Sequence, residues 1–125
     1  MLRRSLADPA TLLRELDRAD CEASLANFIR LAWPIIEPGQ PYVHGWHIDA
    51  ICEHLEAITK GDINRLLINI PPGTMKSLAV GVFWPAWEWG PKGRPSTRVV
   101  AASHEQGLAV RDNLRARRLI ASDWY

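Results

Sequence analysis

A lysine and a serine follow a tight turn near the middle of the chain, where an apolar segment ends. Residues 65–70 (RLLINI) are mostly apolar, and the Pro-Pro-Gly run at 71–73 predicts a turn. Lys76 and Ser77 then open the next apolar segment. A strand, a tight loop and a helix in this order form a phosphate-binding loop, in which backbone amides and the start of the helix face an anion. Lys76 would contact the β- and γ-phosphates of ATP, and the Ser77 hydroxyl would bind Mg²⁺.

The loop departs from the usual glycine pattern of such sites. That pattern places one glycine six residues before the lysine and another directly before it, and these positions are Ile70 and Met75 here. We expect a phosphate-binding loop. The alternative is a strand followed by an ordinary turn, with Lys76 and Ser77 in solvent. The residues predicted to contact nucleotide are Pro72, Gly73, Thr74, Met75, Lys76 and Ser77, with Lys76 as the catalytic residue.

Composition predicts one globular domain with a modest core. The chain has 125 residues, of which 47% are hydrophobic and 23% charged, and its net charge of +1 argues neither for nor against a nucleic-acid partner. Cys21 and Cys52 lie in segments that read as helices, so buried free thiols in a reducing compartment are expected. Trp84, Trp87 and Trp89 are predicted to be packing residues, with a base-stacking platform as the alternative. No apolar run reaches the length of a membrane span.

The sequence pattern of residues 1–60 predicts an N-terminal helical segment. Its first helix begins with Asp8 as the cap and ends near Arg18. A second helix is capped by Asp20 and limited by Pro34, and a third helix follows. The residues predicted to be buried are Leu25, Phe28, Ile29 and Ala32 in the second helix, and Ile48, Ile51, Cys52, Leu55 and Ile58 in the third, which spans 46–60 and ends at Gly61.

The sequence pattern of residues 61–125 predicts the start of an α/β domain. The segment 65–70 shows no alternation, so we expect a strand buried on both faces, and 98–103 (RVVAAS) predicts a second strand. Between them lies a helix that begins after Ser77 and that Pro85 should end or kink. A right-handed parallel crossover joins strands that are separated in this way. The predicted fold class is therefore α/β: a P-loop NTPase-like parallel sheet start (strand, P-loop, helix, strand, helix) behind the helical segment.

A last helix is predicted over residues 105–121. Arg111, Arg115 and Arg118 share one side of it, and a basic helix face can lie on a phosphate backbone or simply be solvated. The neighbouring side, which we expect to be buried, is formed by Val110, Leu114 and Ala121.

A short aromatic and imidazole cluster precedes the third helix, in the run His44-Gly45-Trp46-His47. Such side chains can stack on a nucleotide base or hydrogen-bond to its edge. We favour the alternative that Trp46 packs against the start of the helix and that the histidines are solvated or satisfied in the core.

Several stretches of the chain resemble the N-terminal part of the large terminase subunit of tailed bacteriophages and prophages. They are 44–47 (HGWH), 65–78 (RLLINIPPGTMKSL), 82–91 (VFWPAWEWGP) and 111–125 (RDNLRARRLIASDWY). The resemblance covers about residues 40–125, and the preceding part only in general character. The Asn-Ile-Pro-Pro segment with its Lys-Ser pair, followed by Phe-Trp-Pro-Ala-Trp, is its most specific part.

The resemblance implies an ATP-driven motor that threads double-stranded viral DNA into a preformed capsid. The family's full protein has an N-terminal P-loop ATPase domain and a C-terminal metal-dependent nuclease domain that cuts DNA. It works as a homo-oligomeric ring on the portal protein, with a small terminase subunit recognising the DNA, in the cytoplasm of a bacterial host and without a membrane partner. By position, Lys76 matches the Walker A lysine, Ser77 the Mg²⁺-linked hydroxyl, and His47 falls near the family's upstream adenine-contacting position.

Two features of that family are missing from the sequence. Many members carry an arginine within the loop that acts on the γ-phosphate, and residues 71–75 contain none. No apolar run ends in the Asp-Glu pair that binds Mg²⁺ and activates water, and no paired nuclease carboxylates occur. We therefore expect the front piece of a longer gene product, with 61–125 as the first part of an ATPase domain that is inactive alone. The alternatives are a non-catalytic prophage remnant and another P-loop ATPase, such as a helicase-like motor.

Overall fold

Helices account for all of the regular secondary structure in the described residues, 8–71 and 73–125 of a computed structural model. Pro72 and the first seven residues of the predicted helical segment lie outside them. The elements are α1 (Pro9–Ala23), α2 (Leu25–Ile36), α3 (Trp46–Lys60), α4 (Lys76–Leu78), a π turn (Ala79–Phe83), α5 (Trp84–Trp89) and α6 (Gln106–Ile120). No helix in the described part of the chain is long and apolar enough to cross a membrane. The run 76–89 is continuous and is called the central helix below.

The N-terminal helices form largely where hydrophobic spacing predicts them. α1 begins after Asp8, but the Asp8 side chain makes no capping hydrogen bond and the helix continues past Arg18. The prediction that Asp20 caps α2 is wrong, because Asp20 lies inside α1. Ser24 is the cap of α2, and its hydroxyl accepts a hydrogen bond from the Asn27 N–H at 3.1 Å. A serine at this position satisfies one of the free amides of the first turn.

α3 has the predicted bounds. Gly61 follows it with φ +83°, in the left-handed region where glycine is favoured, and its N–H bonds the carbonyls of the last turn. The predicted apolar stripes are confirmed. The buried members are Leu25, Phe28, Ile29 and Ala32 of α2 and Ile48, Ile51, Cys52 and Leu55 of α3, while Ile58 is half-buried.

The central helix lies in the middle of the core. α2, α3 and α6 all pack on its π turn, and the side chains of Val82, Phe83, Ala86 and Trp87 are fully or almost fully buried. The Phe83 ring meets the Phe28 ring edge to face at 6.4 Å between centroids. Such burial and aromatic contact supply most of the stabilisation of a small domain.

Pro85 does not end this helix. The helix widens into the π turn just before the proline, so that the Trp84 N–H reaches the Ala79 carbonyl five residues back, and it continues to Trp89. Proline has no N–H to donate and its ring collides with the preceding turn of an α-helix. The wider turn is a common way to relieve such a conflict.

The predicted α/β fold is wrong, because neither predicted strand forms among the described residues. Residues 65–70 have no regular secondary structure and their burial alternates, with Leu66, Ile68 and Ile70 partly buried against the core and Leu67 83% exposed. Burial on both faces was therefore also a wrong expectation.

The second predicted strand, 98–103, is exposed throughout, and Val100 is 95% exposed. In the described chain, no backbone group of 65–70 or 98–103 bonds to another backbone group. A strand is defined by hydrogen bonds to a neighbour, which local sequence cannot supply. The predicted parallel crossover is absent for the same reason.

α6 forms within one residue of its predicted bounds, but it presents a different side to the protein. Leu119 is fully buried and Arg115 and Asp112 are half-buried, whereas Val110 and Leu114 are exposed. The prediction of the buried side is wrong because no sheet covers Val110 and Leu114 in the described structure. The inward side of α6 packs instead on the π turn.

The tryptophans of the central helix are packing residues, as predicted, and their indole N–H groups are all satisfied. Trp87 donates to the Cys21 carbonyl at 2.8 Å, Trp84 to the Thr59 hydroxyl at 2.9 Å, and Trp89 to the Thr97 carbonyl at 2.8 Å. These bonds attach the central helix to three other segments of the chain.

Replacing Trp87 by phenylalanine should destabilise the protein. Trp87→Phe keeps an aromatic ring but leaves the buried Cys21 carbonyl without its donor, which costs about 1–3 kcal/mol. Trp46→Phe is the matched control, because Trp46 is 82% exposed and surface changes stay within about 0.5 kcal/mol. Denaturant unfolding measures both variants, and equal stabilities for the two would contradict the assignment of Trp87 to the core.

The two cysteines are free and buried, as predicted. Burial raises the pKa of each thiol from its ordinary value of 9.0 to about 12. Above pH 9 the unfolded chain therefore loses thiol protons that the folded chain keeps, so the thiol contribution to stability is complete below that pH and falls as the pH rises. A Cys21→Ala/Cys52→Ala double variant should lose less unfolding free energy than the wild type between about pH 8 and 10. Parallel pH profiles for the two proteins would contradict this.

Candidate phosphate-binding site

The bend between residues 70 and 78 lacks the usual glycines of a phosphate loop, but two of its described residues have left-handed backbone. Gly73 has φ +82° and Met75 has φ +67°, both in the left-handed region. Met75 stands where the pattern expects glycine directly before the lysine, and it adopts the conformation for which glycine is favoured. The Thr74 hydroxyl donates to the Pro71 carbonyl at 2.8 Å and holds the bend closed.

A hollow of about 390 Å³ lies against this bend. Lys76 is half-buried in its wall, and Ser77, at the start of the central helix, is exposed. The wall is made of Ile70, Pro71, Gly73, Thr74, Met75, Lys76, Ser77, Leu78, Arg111 and Arg115. Five of the six predicted loop contacts therefore come together, and the sixth, Pro72, lies outside the described residues.

Two arginines of α6 complete the wall. Arg111 and Arg115 are one helical turn apart and face the hollow from an element far from the loop in sequence. Sequence reasoning placed them on one basic face but not at this site. Their spacing was the only signal, and it could not show which way the face points.

All charged groups in the described wall of the hollow are positive. Arg115 donates to a Glu37 carboxylate oxygen at 3.0 Å, and Arg111 to Asp112 at 3.3 Å, but neither carboxylate forms part of the wall. Lys76 has no ion pair with any described residue. A concave surface lined by one sign of charge concentrates ions of the opposite sign. The arrangement can therefore bind an anion with several oxygens.

The predicted His47 contact is not brought to this site, because His47 is not in the described wall of the hollow. Neighbouring His44 is satisfied locally, through the Tyr42 hydroxyl and the Asp49 carboxylate, each at 2.8 Å. Trp46 is 82% exposed, and its ring meets that of His47 in the first turn of α3 edge to face, with 6.5 Å between centroids. Its open indole leaves base stacking as an untested prediction.

The residues fit a Mg²⁺ ion that arrives with a nucleotide, and they do not build a metal site of their own. Ser77 offers an exposed hydroxyl, while the described wall contains no carboxylate. No group of three or more His, Cys, Asp or Glu side chains in the described chain could hold a metal. Mg²⁺ commonly keeps most of its water and phosphate ligands and takes one or two from the protein. Ser77 would be that ligand.

A second hollow, of about 420 Å³, lies between α1 and residues 124–125. Its charged wall residues are of both signs, namely Arg14, Arg18, Asp17 and Glu22. Because neither sign dominates, this hollow does not select an anion as the first one does.

Comparisons of the chain with protein-family models, curated proteins and solved structures give no match.

The left-handed backbone at position 75 should make glycine more stable than alanine there. Met75→Gly and Met75→Ala both remove the same side-chain packing, but only alanine keeps a Cβ in a conformation that costs about 1–2 kcal/mol. The greater freedom of glycine in the unfolded chain offsets part of this, so we expect Met75→Gly to be the more stable by about 1 kcal/mol in denaturant unfolding. Alanine equal to glycine would show that the bend is not left-handed at Met75.

Proposed function

We propose that the hollow at the 70–78 bend binds the phosphates of Mg²⁺-ATP. The observation that carries the proposal is the convergence of Lys76, Arg111 and Arg115 on one cavity whose described wall holds no acidic group. Charge-assisted bonds from lysine and arginine are the strong hydrogen bonds to phosphate. The volume of about 390 Å³ falls in the usual range of small-molecule sites, about 300–1,000 Å³.

Within this proposal each predicted contact has a role. Lys76 neutralises the β- and γ-phosphates, and Ser77 ligates the Mg²⁺ that the nucleotide carries. The left-handed residues Gly73 and Met75 let the chain turn tightly beside the anion. The bound Mg²⁺ would neutralise charge on the phosphates when present.

Binding without turnover is the activity expected of this chain alone. Hydrolysis requires a group that positions the attacking water, such as a carboxylate or a glutamine, and a carboxylate can also accept its proton. The described wall of the hollow provides none. Lys76 would therefore contribute to catalysis only when a carboxylate is supplied from elsewhere.

The biological setting is proposed from the resemblance of residues 40–125 to the large terminase subunit. In that setting the ATP site belongs to a DNA-packaging motor of a tailed phage or prophage. Its partners are double-stranded DNA, the portal protein and the small terminase subunit, and its copies form a ring in the bacterial cytoplasm. The cationic hollow and the sequence resemblance support this setting.

The decisive variant is Lys76→Ala, compared with Lys60→Ala at the exposed end of α3. Loss of a charged hydrogen bond costs about 1.5–3 kcal/mol, so Lys76→Ala should weaken Mg²⁺-ATP binding at least about tenfold. Lys60→Ala should bind like the wild type. Isothermal titration calorimetry measures all three, and circular dichroism checks that the variants are folded.

Equal affinity of Lys76→Ala and wild type would overturn the assignment of the loop. A folded wild type with no nucleotide affinity would favour the alternative of a non-catalytic remnant.

A further inference from the structure

We propose that Arg115 and Arg111 hold the terminal phosphate of the bound nucleotide and that Glu37 competes with it for Arg115. This inference rests on the proposed nucleotide site and extends it to α6. The ligand is a polyphosphate, and the two guanidinium groups hold its terminal phosphate.

The loop cannot supply enough positive charge by itself. Between residues 70 and 78 the only cationic side chain is Lys76. A triphosphate carries several negative charges, and one ammonium group acts on them as a point charge without directional preference. The remaining cations of the wall are those of Arg111 and Arg115.

The spacing of the two arginines suits a common ligand. Residues four apart on a helix are neighbours on one side of it, and both side chains line the same hollow as Lys76. Each guanidinium presents a planar fork that can donate two parallel hydrogen bonds to phosphate oxygens. Arg118, further along α6, is exposed and is not part of the described wall.

Glu37 accepts one hydrogen bond from the Arg115 guanidinium in the structure described here. The two side chains are about three-quarters buried and meet at 3.0 Å, although the residues are 78 apart in sequence. Glu37 directly follows α2. In the same region the indole N–H of Trp33, a residue of α2, donates to the Gln40 carbonyl. A phosphate that engages Arg115 must displace or share this carboxylate, so the pair sets the affinity for the anion.

The paired carboxylate predicts opposite effects for changes at the two partners. Removing the charge of Glu37 frees Arg115 and should strengthen polyphosphate binding, whereas removing the charge of Arg115 should weaken it. A purely structural ion pair would instead give the same loss of stability from either side, with no change in affinity. The sign of the Glu37 effect therefore separates a binding role from a structural one.

The test titrates inorganic tripolyphosphate, Mg²⁺-ATP, AMP and a short DNA duplex into the full chain and into Arg111→Gln, Arg115→Gln, Glu37→Gln and Arg118→Gln. Arg111→Gln and Arg115→Gln should each weaken tripolyphosphate and Mg²⁺-ATP about tenfold, with AMP little changed. Glu37→Gln should strengthen tripolyphosphate severalfold. Arg118→Gln is the matched control, with the same change on the same helix, and should stay within about twofold.

The inference is overturned if Arg111→Gln and Arg115→Gln bind tripolyphosphate as tightly as Arg118→Gln does. If Arg115→Gln fails to fold, Glu37→Gln still decides, because unchanged or weaker tripolyphosphate binding in that variant contradicts the competition. A loss of short duplex DNA binding in all three arginine variants, with tripolyphosphate binding unchanged, would make α6 a nucleic-acid contact and would also overturn it. If Lys76→Ala weakens Mg²⁺-ATP binding while Arg115→Gln binds it normally, the proposed nucleotide site is supported and only the role of the arginines is overturned.

Discussion

Burial of the central helix is the constraint on which the rest of the structure depends. Phe83 and Trp87 lie in the core with almost no exposure, and the Trp87 indole bonds to the end of α1. The bend that carries Lys76 is joined directly to this helix, so its position is set by the packing behind it. α6 packs on the π turn of the same helix, which brings Arg111 and Arg115 to the same hollow. One buried helix thus positions both halves of the cationic site.

Local sequence predicted the helices well because their signals are local. Periodic apolar residues and the Gly61 stop gave the bounds of α3, and Asp8 gave the start of α1. The break between α1 and α2 was predicted at residues 18–20 and lies at Ser24, and α2 continues past Pro34 to Ile36. The strands failed for the opposite reason. The segments 65–70 and 98–103 have the composition of strands, but strand hydrogen bonds come from a neighbour that may be anywhere in sequence. In the described structure that neighbour is absent, and neither segment bonds to another backbone segment.

The candidate site was predicted in part. The Lys-Ser pair and the turn before it pointed to the bend at residues 70–78, where Met75 has a left-handed backbone although it is not glycine. The contribution of Arg115 was not predictable, because it depends on which side α6 turns inward and on the distant partner Glu37. Helical spacing placed three arginines on one face of α6, but it could not show whether that face points to the protein or to solvent. The family resemblance included both the loop and residues 111–125, but it assigned no role to these arginines.

The central claim is that Lys76 and Arg115 bind one anion together. A crystal structure of the chain with bound tripolyphosphate tests it most directly. We expect phosphate oxygens within hydrogen-bonding distance, about 2.7–2.9 Å, of both the Lys76 ammonium and the Arg115 guanidinium, with Glu37 displaced from Arg115. Tripolyphosphate bound away from the 70–78 bend, or a Lys76 side chain directed out of the hollow, would contradict the account.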